Sequence, residues 1–138
     1  MSRVLGIDLG DARTGLALSD ELRLLAHPLE TIPTQSADAL AQRVQRIVTE
    51  KNVDAVVIGL PRHMNGTFGE AAQAAEKFAA HLRGVLCCPV LTWDERLSTV
   101  AAERALRAAG KKSHQTRGIR DQVAAQIVLQ SYLDRLNA

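Results

Sequence analysis

Aromatic side chains are nearly missing from this sequence: one Trp, one Tyr and two Phe, 3% of 138 residues. A surface that grips single strands by stacking bases on successive rings is thereby excluded. Leu, Val, Ile and Ala must instead fill the interior of a chain that is 46% apolar. Cysteine is as scarce, and Cys87 and Cys88 are adjacent, a spacing that suits neither a zinc site nor a dithiol redox pair. Two buried, reduced thiols are expected. Charge of one sign is not in excess either, since 17 Lys and Arg against 15 Asp and Glu leave +2. Any contact with nucleic acid must then come from a local basic patch. No apolar run approaches a membrane span, and Met1 leads into Val4, Leu5 and Ile7 without a basic leader, so a cytoplasmic protein with no membrane partner is expected. There is no repeat and no low-complexity linker, and a chain of this length suits a single domain, 1–138, that folds without disulfides or a structural metal.

What is present alternates between strand and helix patterns. Val4–Ile7 and Thr14–Leu18 are short β-branched or apolar runs separated by Gly10 and Asp11, which predicts an opening hairpin. A third strand is expected over Leu29–Ile32. Ser36 can then cap a helix whose apolar positions Leu40, Val44, Ile47 and Val48 recur at helical spacing, with Asn52 ending it. Asp54–Leu60 holds Ala55, Val56, Val57 and Ile58 in succession, as a strand covered on both faces should. Ala71, Ala75, Phe78 and Leu82 predict a second helix, and Cys88–Trp93 a fifth strand. Ser98 opens a further helix with Ala102, Ala105, Leu106 and Ala109, closed by Gly110, and a polar loop, Lys111–Gly118, expected to be mobile without substrate, comes next. The last helix carries Val123, Ala125, Val128, Leu129, Tyr132, Leu133 and Leu136 as a broad stripe. The pattern predicts an α/β protein with a mixed central sheet of about five strands and helices on both faces.

Three carboxylates stand where these elements end or begin: Asp8 ends the first strand, Glu95 ends the fifth, and Asp121 begins the final stripe. Strand ends and adjoining helix starts meet at one rim of such a sheet, so the three could converge. Oxygen-only ligands suit Mg²⁺ or Mn²⁺, and two such ions bound together with substrate drive in-line phosphodiester hydrolysis without a nucleophilic side chain. Each residue also has an ordinary reading: Asp8 as a turn residue, Glu95 as a surface partner of Arg96, Asp121 as a helix-start acid beside Arg117 and Arg120.

The residues around these carboxylates resemble the YqgF/RuvX family. Gly6-Ile7-Asp8-Leu9-Gly10 with Arg13-Thr14-Gly15-Leu16-Ala17-Leu18-Ser19-Asp20 is similar to its opening signature, and Val57-Ile58-Gly59-Leu60-Pro61 with Asn65-Gly66 to its middle strand and loop. Asp94-Glu95-Arg96-Leu97-Ser98-Thr99 resembles the acidic block, and Asp121-Gln122-Val123-Ala124-Ala125 with Leu129-Gln130-Ser131-Tyr132-Leu133 the terminal one. The resemblance implies an RNase H-like fold akin to RuvC-type resolvases, with Asp8, Glu95 and Asp121 as catalytic metal ligands. It further implies a nuclease in 5′-end maturation of pre-16S rRNA within ribosome assembly, or else one acting on Holliday junctions in DNA repair and recombination. The loop Lys111–Gly118 departs from relatives in being less densely lysine-rich.

Candidate substrate contacts are Arg13, Arg96, Lys111, Lys112, Arg117 and Arg120 for phosphates and Asn65 for the backbone. Arg13 and Arg96 could equally enter structural ion pairs. Asp20 reads as a turn residue that could lend a fourth carboxylate, His114 as a loop residue able to carry a proton, and Trp93 and Phe68 as core or edge residues. Asp8-Leu9-Gly10 also resembles the phosphate loop of actin-like ATPases and sugar kinases, but those need two domains of related fold. A catalytically silent nucleic-acid-binding assembly factor is the non-enzymatic rival. RNA or DNA as substrate, exonuclease or endonuclease action, and monomer or homodimer are left open.

Overall fold

The computed structural model describes residues 2–61, 69–95 and 117–138, with side chains of the last segment described from Asp121 onward. The elements run β1 (Arg3–Leu9), β2 (Arg13–Ser19), β3 (Ala26–Pro33), α1 (Ala37–Glu50), β4 (Val53–Leu60), α2 (Glu70–Arg83), β5 (Val90–Asp94) and α3 (Arg117–Leu136). The five strands form one sheet in the order β3-β2-β1-β4-β5. β1 pairs antiparallel with β2 and parallel with β4, β2 antiparallel with β3, and β4 parallel with β5. The carboxyl ends of β1, β4 and β5 therefore share one edge, which is also where antiparallel β2 begins.

Strand alternation divides the interior into two layers. Leu5, Ile7, Leu16, Val56 and Ile58 face one way and pack with Leu40, Val44 and Ile47 of α1 and Phe78, Ala79 and Leu82 of α2. Val4, Ala17 and Val57 face the other way, against Ala125, Val128, Leu129 and Leu133 of α3. Each buried aliphatic side chain contributes about 1.5–3 kcal/mol by leaving water, so both layers hold the sheet. The helix ends follow local chemistry. Ser36 Oγ accepts the Ala39 N–H at 3.1 Å, satisfying a donor that α1 leaves open and contributing about 1 kcal/mol. Beyond the other end, Asn52 turns the chain out at φ 56, a conformation Asn tolerates better than most residues.

α3 is also stitched to the sheet edge by amide side chains. Gln126 Nε2 donates to the Ala26 carbonyl at 2.9 Å, and Gln130 Oε1 accepts the Ala26 N–H at 2.8 Å. Gln130 Nε2 donates to the Leu24 carbonyl at 3.0 Å and Asn137 Nδ2 to that of Arg23 at 2.8 Å. These bonds fix the helix along its length, so its first turns sit over β1 and β2 in one register.

Several expectations from sequence are corrected. β3 spans Ala26–Pro33, longer than Leu29–Ile32, because it follows β2 along the whole strand. β5 begins at Val90 rather than Cys88, and Pro89, which lacks an N–H, precedes it. In α2 Ala72, not Ala71, is buried, together with Ala75, Phe78, Ala79 and Leu82. Leu136 is 48% exposed, because α3 makes its last fully buried contact at Leu133. Cys87 is exposed and Cys88 half-buried, so neither thiol is a core residue. Arg117 and Gly118 belong to α3 rather than to the preceding loop. The helix expected from Ser98, the rest of the loop from Lys111, and Asn65, Phe68, Arg96, Lys112 and His114 lie outside the described residues.

Candidate active site

Asp8 is the last but one residue of β1 and pairs across the ladder with Gly15 of β2. Side chains directly opposite in a sheet share a face, so Asp8 projects toward the α3 side, where Gly15 has no side chain to offer. The space that Gly15 leaves is taken by the backbone of α3. A Cβ at Gly15 would stand 2.0 Å from the Asp121 carbonyl oxygen and 2.4 Å from its carbon. Glycine is thus required here by contact rather than by dihedral angle, and it seats Asp121 above the first strand pair. Gly6, two residues before Asp8 on the same face, does likewise one turn further along: its Cβ would lie 2.7 Å from Leu129 Cβ and 3.1 Å from the Ala125 carbonyl.

Glu95 directly follows β5, whose last residue Asp94 pairs with Leu60 of β4, and it is exposed. Its approach to Asp8 registers electrostatically. Burial, then the charges of Asp121 and of Glu95, push the Asp8 carboxyl up to about 6 from an ordinary 3.8. Like charges crowding a half-buried carboxylate disfavour its ionised form. Asp8 therefore feels two acids that lie 87 and 113 positions further along the chain, and the carboxyl ends of β1 and β5 and the first turns of α3 place them there.

Asp121 is not at the start of its helix, as its position before the apolar stripe suggested, but the fifth residue of α3. The helix dipole is concentrated in the first turn, which Asp121 follows. Arg13 Nε donates to Asp121 Oδ2 at 2.9 Å. Arg13 opens β2 immediately after the turn at Gly10, where a Cβ would meet the Arg13 carbonyl oxygen at 2.3 Å. Next to it Thr14, fully buried, shares a 2.6 Å hydrogen bond between its Oγ1 and that of Thr34. The turn, the buried hydroxyl pair and the strand ladder together fix where the guanidinium starts.

Asp8, Glu95, Asp121 and Arg13 thus meet at one rim. As they stand, no three Asp, Glu, His or Cys side chains among the described residues are disposed to hold a metal ion. The donor set nonetheless has the character a hard divalent cation requires: oxygen only, with a net negative charge that Arg13 offsets in part. Asp20 is at the far end of β2, where its Oδ1 accepts the N–H groups of Leu24 and Leu25 at 2.8 and 3.0 Å. These backbone bonds hold its carboxyl below the ordinary value, and it is a turn residue. Trp93 packs edge-on against Tyr132 with ring centroids 5.4 Å apart, and its Nε1 donates to Ser131 Oγ at 3.0 Å; it is an anchor of α3. Arg117 and Arg120 lie in the first turn of α3. Among residues that sequence reasoning passed over, Gly15 and Gly6 stand out. A glycine inside a strand pattern signals close backbone approach, and that signal was available.

A five-stranded mixed sheet with helices on both faces and acids at the carboxyl ends of its parallel strands defines an RNase H-like fold. Thermus thermophilus RuvC bound to a Holliday junction substrate superposes with a TM-score of 0.62 over 100% of this chain and 97% of its own, at 14% identity. The fowlpox virus resolvase in complex with Holliday junction DNA gives 0.53 over 99% of both chains at 13% identity. At these identities the likeness is one of fold. The RuvX family, described as Holliday junction resolvase, matches residues 2–135, and the chain belongs to that family. A Geobacillus kaustophilus protein is 50% identical over 134 residues, 96% of this chain and 97% of its own length. One from Chloroflexus aggregans is 45% identical over 131 residues, 95% and 92% of the two chains. Both are provisionally named pre-16S rRNA nucleases.

Proposed function

We propose that this chain is a single-domain, divalent-metal-dependent nuclease that processes the 5′ end of pre-16S rRNA, with Asp8, Glu95 and Asp121 as its metal ligands and catalytic residues. The observation that carries the reading is the elevated Asp8 carboxyl, raised in part by the two acids that complete the set. A half-buried carboxyl whose ionised form is disfavoured by burial and by neighbouring acids gains most from a cation. The name borne by relatives up to 50% identical over almost the whole chain supports the substrate.

Bound among these carboxylates, one or two Mg²⁺ or Mn²⁺ ions would supply a polarised phosphoryl oxygen, an activated water and a stabilised leaving oxygen. The residues of the chain do the rest. Asp8, half-buried on β1, gives a fixed point set by the central strand. Asp121 is seated by Gly15 and drawn to one side by Arg13, and exposed Glu95 faces incoming substrate. Arg117 and Arg120 on the first turn of α3, together with Arg96, Lys111, Lys112 and Asn65, supply phosphate and backbone contacts to the substrate. Among the described residues no helix is long and apolar enough to cross a membrane, and a cytoplasmic location in the setting of ribosome assembly accords with such a substrate.

The test is cleavage of a pre-16S 5′-leader RNA and of a four-way DNA junction, in parallel, by the wild type and by Asp8→Asn, Glu95→Gln and Asp121→Asn. Metal-dependent cleavage of the RNA that collapses in all three folded variants is expected. Cleavage of the junction alone would move the function to the resolvase activity for which the family is described. Full activity of Asp8→Asn would end the mechanism.

A further inference from the structure

We propose that Arg13 is an internal counter-ion that holds Asp121 in the cation-free protein and competes with the divalent metal for its carboxylate. This inference rests on the metal-dependent reading above and adds to it an order of events. Arg13 Nε donates to Asp121 Oδ2 at 2.9 Å, with the Arg13 side chain 39% exposed and that of Asp121 25% exposed. One oxygen of the carboxylate is thereby engaged by a cation that belongs to the chain.

Three features make the contact more than a chance surface pair. Both partners start from fixed backbone: a Cβ at Gly10 would stand 2.3 Å from the Arg13 carbonyl oxygen, and one at Gly15 2.0 Å from that of Asp121. Two glycines of a single turn-and-strand segment thus seat the two ends of the pair. Arg13 shares strand parity with Gly15 and Ala17, so it projects to the α3 face on which Asp8 also lies. Finally, the bond is part-buried and joins residues 108 positions apart, so it belongs to the tertiary fold rather than to a local turn. A strongly hydrated divalent ion that binds Asp121 must displace this N–H or share the carboxylate with it, and the positive charge opposes the ion in either case. Once displaced, the guanidinium is left on the rim that a phosphodiester must approach, where its planar fork suits phosphate. Without substrate, Arg13 then lowers metal affinity; with substrate, phosphate takes over the guanidinium and the opposition is relieved.

The test measures metal binding rather than turnover. Mn²⁺ is titrated calorimetrically into the wild type, Arg13→Gln, Arg13→Lys and Asp8→Asn, all without nucleic acid. Arg13→Gln is expected to bind Mn²⁺ roughly two- to fivefold more tightly than the wild type, the scale of losing one partly exposed ion pair. Arg13→Lys should fall between the two, keeping the charge without the Nε–H geometry. In wild-type protein labelled with ¹⁵N, saturating Mg²⁺ should shift the Arg13 Nε–H resonance. A purely structural Arg13 predicts the opposite sign, weaker Mn²⁺ binding on removal. Equal or weaker binding by Arg13→Gln, or a resonance that Mg²⁺ leaves unmoved, overturns the proposal while Asp8-dependent metal binding preserves the nuclease reading. Absence of any Asp8-dependent Mn²⁺ binding in the wild type removes both. Should Arg13→Gln fail to fold, Arg13→Lys and the wild-type resonance decide.

Discussion

Gly15 and Asp121 are in backbone contact: the bare Cα of one lies under the carbonyl of the other, so close that a methyl group would fall 2.0 Å from the oxygen. Gly15→Ala must lift the beginning of α3 off β2 and carry Asp121 with it. Overpacking of this kind costs roughly 1–3 kcal/mol of stability. Displacement of a reacting group by about 1 Å costs on the order of a hundredfold in rate. The expected outcome is a folded protein with a lowered melting temperature and cleavage reduced about a hundredfold or more. A Gly15→Ala variant with wild-type turnover would show that the position of Asp121 does not matter.

The Asp8 carboxyl gives stability a distinctive pH dependence. Its folded-state value of about 6 lies above the ordinary 3.8, so the native state holds the proton more tightly than the unfolded one. Stability contributed by this group is then fully present below about pH 4. It declines as pH rises toward about 6 and stays lost above it, the reverse of a salt-bridged carboxylate. Asp8→Asn cannot ionise. In EDTA at pH 7.5 it should be more stable than the wild type by roughly 1–3 kcal/mol, and the gap should close by about pH 4. Urea denaturation at the two pH values checks the sign, and an Asp8→Asn protein less stable than the wild type at pH 7.5 contradicts it.

The same cluster predicts how metal acts on the fold. A ligand that binds only the native state stabilises it by mass action, about 2.7 kcal/mol at a hundred times its dissociation constant. Excess Mn²⁺ should therefore raise the melting temperature of the wild type, more at pH 7.5 than at pH 5, where protons compete for Asp8. Asp8→Asn and Asp121→Asn should lose most of that rise. Equal shifts in all three proteins would locate the stabilising ion elsewhere.

Legibility in the sequence followed the range of the interaction concerned. The Val56-Val57-Ile58 run of β4, the Ser36 cap of α1 and the α3 stripe from Val123 to Leu133 are consequences of neighbours within a turn or a strand, and each lies where the pattern placed it, whereas Leu136 does not. Asp8 and Glu95 were visible as acids ending apolar strands. The start of α3 was not, because Gly118 is about 1 kcal/mol worse than Ala in a helix and the polar run before it, Lys111–Arg117, offers no apolar periodicity. Packing of the following residues onto β1 and β2 sustains the helix instead. The Arg13–Asp121 pair joins residues 108 positions apart, and it depends on strand order, on register and on which face α3 covers. None of these is a local property, although the glycines at positions 6 and 15 marked the places where another backbone had to come close.

The basic residues before Asp121 lead to a prediction about salt. Lys111, Lys112 and Arg117 precede or open α3, the helix that carries Asp121, and under the proposed function they are the candidate phosphate contacts. Each phosphate neutralised releases condensed counterions, and log K against log[salt] steepens by about 0.7–0.9 per contact. Replacing all three with Gln should therefore flatten the slope by roughly 2 and weaken binding at low salt across RNA sequences without regard to base identity. Catalysis at saturating substrate should change far less than binding, because none of the three is a proposed metal ligand. Fluorescence anisotropy in a cleavage-deficient Asp8→Asn background, at several KCl concentrations and in the presence of Ca²⁺, reads binding, and single-turnover cleavage by the triple variant with Asp8 intact reads catalysis. If the triple variant keeps the wild-type slope, the approach to Asp121 is not where the phosphates lie, and the substrate must cross the rim from the side of Glu95.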